Sequence, residues 1–153
     1  MNSTLQDSIE RQITVRAPKE RVFQAISDPE QIVKWFPDAV EGSLDLGSRP
    51  YFDFGSYGKV QVFVEAVEPN DYFAYRWLTG CDEVPGGYTG DVNDLANTLV
   101  EFRLEDTPDG TLVRLKESGF ASLPADRAER ALKDNSGGWD SMMSRLETYL
   151  AQG

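Results

Sequence analysis

Residues 124–150 read PADRAERALKDNSGGWDSMMSRLETYL, and they give the strongest indication of the fold. Apolar and small residues recur in it every three to four positions, which is the spacing of one face of an α-helix. The stripe consists of Ala128, Ala131, Leu132, Asn135, Trp139, Met142, Leu146, Tyr149 and Leu150. We therefore expect one long amphipathic helix. Gly137 and Gly138 interrupt the stripe, and because glycine costs about 1 kcal/mol relative to alanine inside a helix, close packing or a kink is expected there.

The middle of the chain has a different period. Apolar residues alternate there with polar ones, as in strands that bury one face. The pattern predicts strands over 40–46, 49–54, 59–68, 72–78, 98–106 and 111–117, after an earlier strand over 9–15. Short connections with turn residues, such as Pro108-Asp109-Gly110, favour antiparallel neighbours. Two short helices are predicted after the first strand, over 18–26 and 29–35, with Asp28 as the N-cap of the second.

This order of elements predicts an α+β helix-grip fold. A curved antiparallel seven-stranded sheet would surround the long C-terminal helix, with the two short helices after the first strand. The length of 153 residues suits one domain, so 1–153 is expected to be a single domain whose first residues, 1–8, are disordered or extended. Segment 79–97 is too long for a tight hairpin, and it is interpreted either as a flap over a binding site or as a variable insertion.

Composition restricts the partners. The formal net charge of −11 repels phosphate backbones, so nucleic acid is not expected as a partner. No run of about 18 apolar residues predicts a membrane span, and the polar start lacks the features of a secretion signal. Cys81 is the only cysteine, which excludes an intrachain disulfide and fits a reducing compartment. A cytoplasmic protein is therefore expected.

The sequence contains no histidine. This removes Ser-His-Asp and Cys-His nucleophilic pairs, HExxH metal sites and the usual near-neutral general base. Residues 91–94 lack the spacing of a calcium loop, and no glycine-rich phosphate loop precedes a helix. We therefore expect no metal or cofactor, assign no catalytic residue, and favour a binding protein over an enzyme.

Five strings along the chain resemble one family. They are APKERVF at 17–23, DPE at 28–30 with WF at 35–36, VEAVEP at 64–69 leading to FAYRW at 73–77, GTLVRL at 110–115 leading to SGF at 118–120, and GW at 138–139 with Leu146 and YL at 149–150. Their order is similar to that of the SRPBCC superfamily, also called START-like or Bet v-like. Within it they resemble the AHSA branch, named for activators of the heat-shock-protein-ninety ATPase. Glu117 stands where that family often has histidine.

The resemblance implies three functions. The preferred one is binding of a small hydrophobic or amphipathic ligand in an internal cavity. The second is an enzyme similar to polyketide cyclases and aromatases, in which Glu117 and Tyr75 would be the acid and base candidates. The third is protein interaction with a chaperone in the stress response, or with a homodimer partner.

Alternation assigns one face of three strands to the concave side of the sheet, opposite the long helix. The predicted ligand-binding residues on these elements and near one mouth are Trp35, Phe36, Phe73, Tyr75, Trp77, Val100, Phe102, Leu115, Glu117, Trp139, Met142 and Met143. The alternative is that these residues are only a packed core. Glu117 lies among apolar residues by register, so it must have a partner, be protonated, or reach water at the strand end.

Overall fold

A computed structural model describes residues 7–77, 92–94 and 97–151. The elements in these ranges are β1 (Ser8–Val15), α1 (Lys19–Ser27), α2 (Pro29–Ile32), β2 (Ala39–Glu41), β3 (Tyr51–Asp53), β4 (Lys59–Glu68), β5 (Tyr72–Trp77), β6 (Thr98–Thr107), β7 (Gly110–Ser118) and α3 (Ala125–Ala151). The strands form one antiparallel seven-stranded sheet in the order β1-β7-β6-β5-β4-β3-β2. The predicted helix-grip fold is confirmed.

Helix α3 packs its apolar stripe against the sheet. Its buried residues are Ala128, Ala131, Trp139, Met143, Leu146 and Leu150. The helix continues through Gly137 and Gly138, and a Cβ atom built on either glycine would meet nothing within 4 Å. The expectation of close packing at these glycines is therefore wrong.

Within the described ranges no helix combines the length and the apolarity that a membrane span requires.

The two short helices place the first aromatic side chains over the sheet. Asp28 caps α2 as predicted, because its carboxylate accepts from the backbone N–H of Glu30 at 3.0 Å. The helix ends at Ile32, three residues earlier than predicted. The indole N–H of Trp35 donates to the carbonyl of Ala25 at 2.8 Å, which fixes this fully buried ring against α1.

The strands near the sheet edge are shorter than their apolar pattern predicts. Strand β2 ends at Glu41 because Gly42 adopts a φ of +115° and turns the chain away. A Cβ at Gly42 would lie 3.2 Å from the Cα of Pro50, so the two segments approach closely there. Residues 78–91 and 95–96, and with them most of the predicted long loop, lie outside the described residues. Of that loop, Val92–Asp94 forms a 3₁₀-helix.

The concave face of the sheet carries the predicted alternation. The buried side chains on it include Phe73, Tyr75 and Trp77 from β5, Val100, Phe102 and Leu104 from β6, and Val113, Leu115 and Glu117 from β7. Aromatic rings make up much of this core, and Phe36 alone contacts the rings of Trp35, Phe52, Phe54, Trp77 and Trp139 at centroid distances of 5.3 to 5.7 Å. Among the described residues, the space between sheet and helix is therefore lined largely by aromatic rings in contact with one another.

The turn between β6 and β7 depends on Gly110. A Cβ there would overlap the backbone carbonyl of Val15 at the end of β1. We expect Gly110→Ala to lower the free energy of unfolding by about 2–4 kcal/mol, because backbone atoms of two strands would have to move apart. Urea denaturation measures this loss. Gly47→Ala is the control: its φ is +81° but its Cβ meets nothing within 4 Å, so its cost should stay near 1 kcal/mol. Equal losses would contradict the overlap.

Candidate functional site

Glu117 is the centre of the candidate site. It lies near the end of β7, paired in register with Val100 of β6 on one side and Ile9 of β1 on the other. Its relative exposure is 0%. The alternative in which this carboxylate reaches water is therefore wrong, and its burial requires hydrogen-bonding partners.

Within the described ranges, four side chains donate hydrogen bonds to this carboxylate. They are the indole N–H of Trp77 at 2.9 Å, the hydroxyl of Thr98 at 2.6 Å, the amide of Asn135 at 3.1 and 3.2 Å to the two oxygens, and the indole N–H of Trp139 at 2.7 Å. Indole and amide N–H groups can only donate, so each of them directs a positive hydrogen at an oxygen of the carboxylate. None of the four donors is charged. The negative charge of Glu117 is therefore bound by dipoles and not by a cation.

The fold brings these donors together from three elements. Trp77 ends β5 and Thr98 begins β6, and the two are direct partners in the sheet register. Asn135 and Trp139 are four residues apart in α3, so they lie on one face of the helix, one above the other. Glu117 thus links the helix to three strands through a single carboxylate.

A pocket lies directly beside this network. Its volume is about 120 Å³, and its lining residues are Phe36, Trp77, Asn135, Gly138, Trp139 and Met142. A cavity of about 150 Å³ binds benzene in a protein interior, so this slightly smaller pocket suits a molecule of one ring at most. Trp77, Asn135 and Trp139 line the pocket and also donate to Glu117. The carboxylate therefore lies behind the wall of the pocket and holds that wall in place.

The structure divides the predicted ligand-binding residues into two groups. Phe36, Trp77, Trp139 and Met142 line the pocket, and Glu117 lies behind it. The others are buried in the core and are not part of that lining: Trp35, Phe73, Tyr75, Val100, Phe102, Leu115 and Met143. A part in ligand binding remains a prediction for both groups.

Sequence reasoning missed two residues of the lining, Asn135 and Gly138. Asn135 did carry a signal, because it is a polar residue in the apolar stripe of α3 and stands four positions before Trp139. Gly138 carried one as well, since a glycine inside a helix requires a reason. The reason lies in the open space that this residue borders.

Tyr75 is buried near Glu117 without contacting it. The phenol has 0% relative exposure, and its oxygen has no hydrogen-bond partner within the part of the chain that the structure describes. Burial raises the pKa of the Tyr75 phenol well above 10.0, and the charge of Glu117 raises this pKa further. The two side chains are therefore not arranged as a hydrogen-bonded acid and base.

Because of this buried phenol, the free energy of unfolding should fall as the pH rises above about 10. Because the pKa of Tyr75 is higher in the folded than in the unfolded state, the unfolded chain releases its proton first as the pH passes 10. Stability is retained below that pH, and this phenol removes up to about 1.4 kcal/mol per pH unit above it. Tyr75→Phe should equal or exceed the wild type at pH 9, and its advantage should grow by pH 11. Urea denaturation at both values is the measurement, and a constant difference between the variants would contradict the assignment.

The helix-grip sheet, the long helix across it and the aromatic pocket between them define the chain as a START-like domain of the SRPBCC superfamily. Within this class, the family model described as "Activator of Hsp90 ATPase homolog 1-like protein" matches residues 16–151. The chain belongs to this family. No curated protein matches it significantly.

Several solved structures share the fold. Protein MLL2253 from Mesorhizobium loti is 26% identical with a TM-score of 0.75, and the match covers 95% of this chain and 97% of that one. DynU16, a protein in the dynemicin biosynthetic locus, is 23% identical with a TM-score of 0.73 over 95% of this chain, which corresponds to 48% of the longer DynU16 chain. The Aha1 dimer from Colwellia psychrerythraea is 20% identical with a TM-score of 0.71, over 95% and 96% of the two chains.

Proposed function

We propose that the protein binds a small hydrophobic or amphipathic molecule, about one ring in size, in the pocket between Phe36, Trp77 and α3. One observation carries this proposal: an apolar pocket of about 120 Å³ borders side chains that a buried carboxylate holds in fixed positions. Small-molecule sites are typically apolar, concave and formed before the ligand arrives. A wall that is already fixed costs little to order on binding.

The composition of the pocket favours an apolar ligand over a polar one. Three of its lining side chains are aromatic and one is the thioether of Met142. By contrast, a larger depression of about 300 Å³ on the outer face of the sheet is lined by side chains of both charges, including Glu101, Arg103 and Lys116. Opposite charges in alternation are typical of a solvated sheet face.

Gly138 provides a direct test. We expect Gly138→Leu to fill the pocket and to weaken binding of benzyl alcohol at least tenfold, measured by isothermal titration calorimetry. The wild type should bind this probe with a dissociation constant of about 1 mM or below, given the binding energy that so few heavy atoms supply.

Gly137→Leu is the matched control for this experiment. It makes the same change of residue one position earlier in the same helix, and Gly137 is exposed and outside the lining of the pocket. Its affinity for benzyl alcohol should equal that of the wild type. Equal affinity in all three proteins would place the probe elsewhere, and no binding to the wild type would contradict the proposed function.

The other implied functions have less support. Glu117 and Tyr75 do not form the acid and base pair that a cyclase-like enzyme would need. The Colwellia structure is described as a dimer. A homodimer therefore remains a prediction for this chain, as does a chaperone partner, and size-exclusion chromatography tests the first.

We also propose a cytoplasmic location, which the single cysteine favours.

A further inference from the structure

We propose that the pocket selects a small organic cation, an amine carrying one apolar or aromatic group, over a neutral molecule of the same size. This inference rests on the proposed function, since it names the class of ligand for the same pocket. It draws on two features that an apolar pocket alone does not have: a negative charge behind the wall that no lysine or arginine contacts within the described residues, and aromatic rings between that charge and the ligand.

The charge comes from Glu117. Its four hydrogen-bond donors are all neutral, and the lining of the pocket includes no lysine or arginine among the residues that the structure describes. A ligand in the pocket would be separated from the carboxylate by about the width of an indole ring. At an effective dielectric constant of about 20, a unit charge at that range gains about tenfold or more in affinity.

The aromatic rings also favour a cationic ligand. Phe36, Trp77 and Trp139 contact one another with centroids 5.3, 5.7 and 6.0 Å apart, and all three border the pocket. The negative face of an aromatic ring attracts a cation, and tryptophan does so most strongly. Both indoles donate their N–H to the carboxylate, and this polarisation increases the electron density of the rings.

Two cations lie near the outer wall among the described residues. Arg11 donates to the carbonyl of Ser136 at 3.5 Å, but it pairs with Asp140 at 2.6 Å, so a carboxylate of its own offsets its charge. Arg145 donates to the sulfur of Met142 at 3.9 Å, on the exposed side of α3. Solvent and salt screen such an exposed charge far more than they screen the buried carboxylate. The field inside the pocket is therefore set by Glu117. An anionic ligand would face this carboxylate, so anions should be the poorest ligands.

Three probes of one shape test the proposal: benzylammonium, benzyl alcohol and benzoate. We expect benzylammonium to bind about tenfold more tightly than benzyl alcohol, and benzoate at least tenfold more weakly, in titrations followed by calorimetry or tryptophan fluorescence. Equal affinities for the cation and the alcohol would overturn the preference while leaving the proposed function intact. If neither benzylammonium nor benzyl alcohol binds, this proposal and the proposed function both fail.

A salt series distinguishes the effect of the buried Glu117 charge on binding from the effect of the overall surface charge. The net charge of −11 attracts any cation at low ionic strength, but this attraction is screened within about 3 Å in 1 M salt. The preference should therefore persist between about 50 mM and about 1 M sodium chloride. A preference that disappears at the higher salt concentration would overturn the role of Glu117, and this result does not depend on any variant.

A charge-neutral variant completes the test. Glu117→Gln should reduce the ratio of the affinities for benzylammonium and benzyl alcohol to less than about twofold; the ratio is the readout, because Glu117 also positions the wall and the variant can weaken both probes. Glu105→Gln is the control, because Glu105 is an exposed strand glutamate paired with Arg114, and it should keep the full preference. An unchanged preference in a folded Glu117→Gln protein would contradict the proposal, and the salt series decides the question if that variant does not fold.

Discussion

Replacing Glu117 with alanine will lower the free energy of unfolding by at least about 3 kcal/mol, since the loss of one member of a buried polar network leaves its partners unsatisfied. Two indoles, one hydroxyl and one amide would lose their common acceptor at once. The side chain also leaves a void in the core. Some of the cost is offset because a buried charge disappears, but each orphaned donor costs about 1–3 kcal/mol.

The control for this prediction is Glu105→Ala. Glu105 is also a strand glutamate, but its ion pair with Arg114 is about half exposed, and such pairs contribute about 0–1 kcal/mol. Urea denaturation of both variants at pH 7 gives the comparison. If Glu117→Ala were no more destabilising than Glu105→Ala, the carboxylate would not be the structural link between α3 and the sheet.

Replacing Phe36 with alanine will have a second large effect, a loss of about 3–5 kcal/mol in stability together with a larger pocket. Phe36 is 6% exposed and contacts five other aromatic rings. Because it also lines the pocket, its removal opens space of up to the volume of a phenyl ring beside the binding site. The variant should therefore accept a two-ring probe such as naphthalene, which the wild type excludes.

Phe63→Ala is the matched control for Phe36→Ala. Phe63 lies on β4 outside the buried core, where Arg49 stacks on its ring at 4.7 Å. Its loss should cost about 1–2 kcal/mol, since only part of its surface is buried, and should leave the choice of probe unchanged. A stable Phe36→Ala protein with the ligand size limit of the wild type would show that Phe36 does not form a wall of the site.

The helices and strands could be predicted from the sequence wherever the regular spacing of apolar residues continued over many positions. The stripe of α3 and the alternation in β6 and β7 each continue for several turns or residue pairs, so the buried face is determined locally. The end of strand β2 could not be predicted, because its apolar alternation continues past Gly42 while the backbone turns there. A close approach to Pro50, eight positions further along the chain, decides that boundary.

The candidate site was less predictable than the fold. The alternation of β7 placed Glu117 on the concave face, and its burial follows from that register. Its partners did not follow, because Trp77, Thr98, Asn135 and Trp139 are separated from it by 18 to 40 positions. Tertiary packing alone brings them to one carboxylate.

The position of the pocket depends on space that the side chains leave unfilled, and sequence patterns report residues and not voids. This is why the predicted ligand-binding residues included many that are packed core, such as Phe73 and Phe102. It is also why Gly138 was interpreted as a point of close packing or a kink, whereas it borders the open space of the pocket.

The tryptophan indole signals in a ¹H–¹⁵N spectrum test the central claim most directly. The sequence contains three tryptophans, of which Trp77 and Trp139 line the pocket while Trp35 donates to a backbone carbonyl in the core. During a titration with benzyl alcohol, the indole signals of Trp77 and Trp139 should move together to saturation, and that of Trp35 should move far less. A saturable titration that leaves Trp77 and Trp139 in place would contradict a ligand site at Glu117.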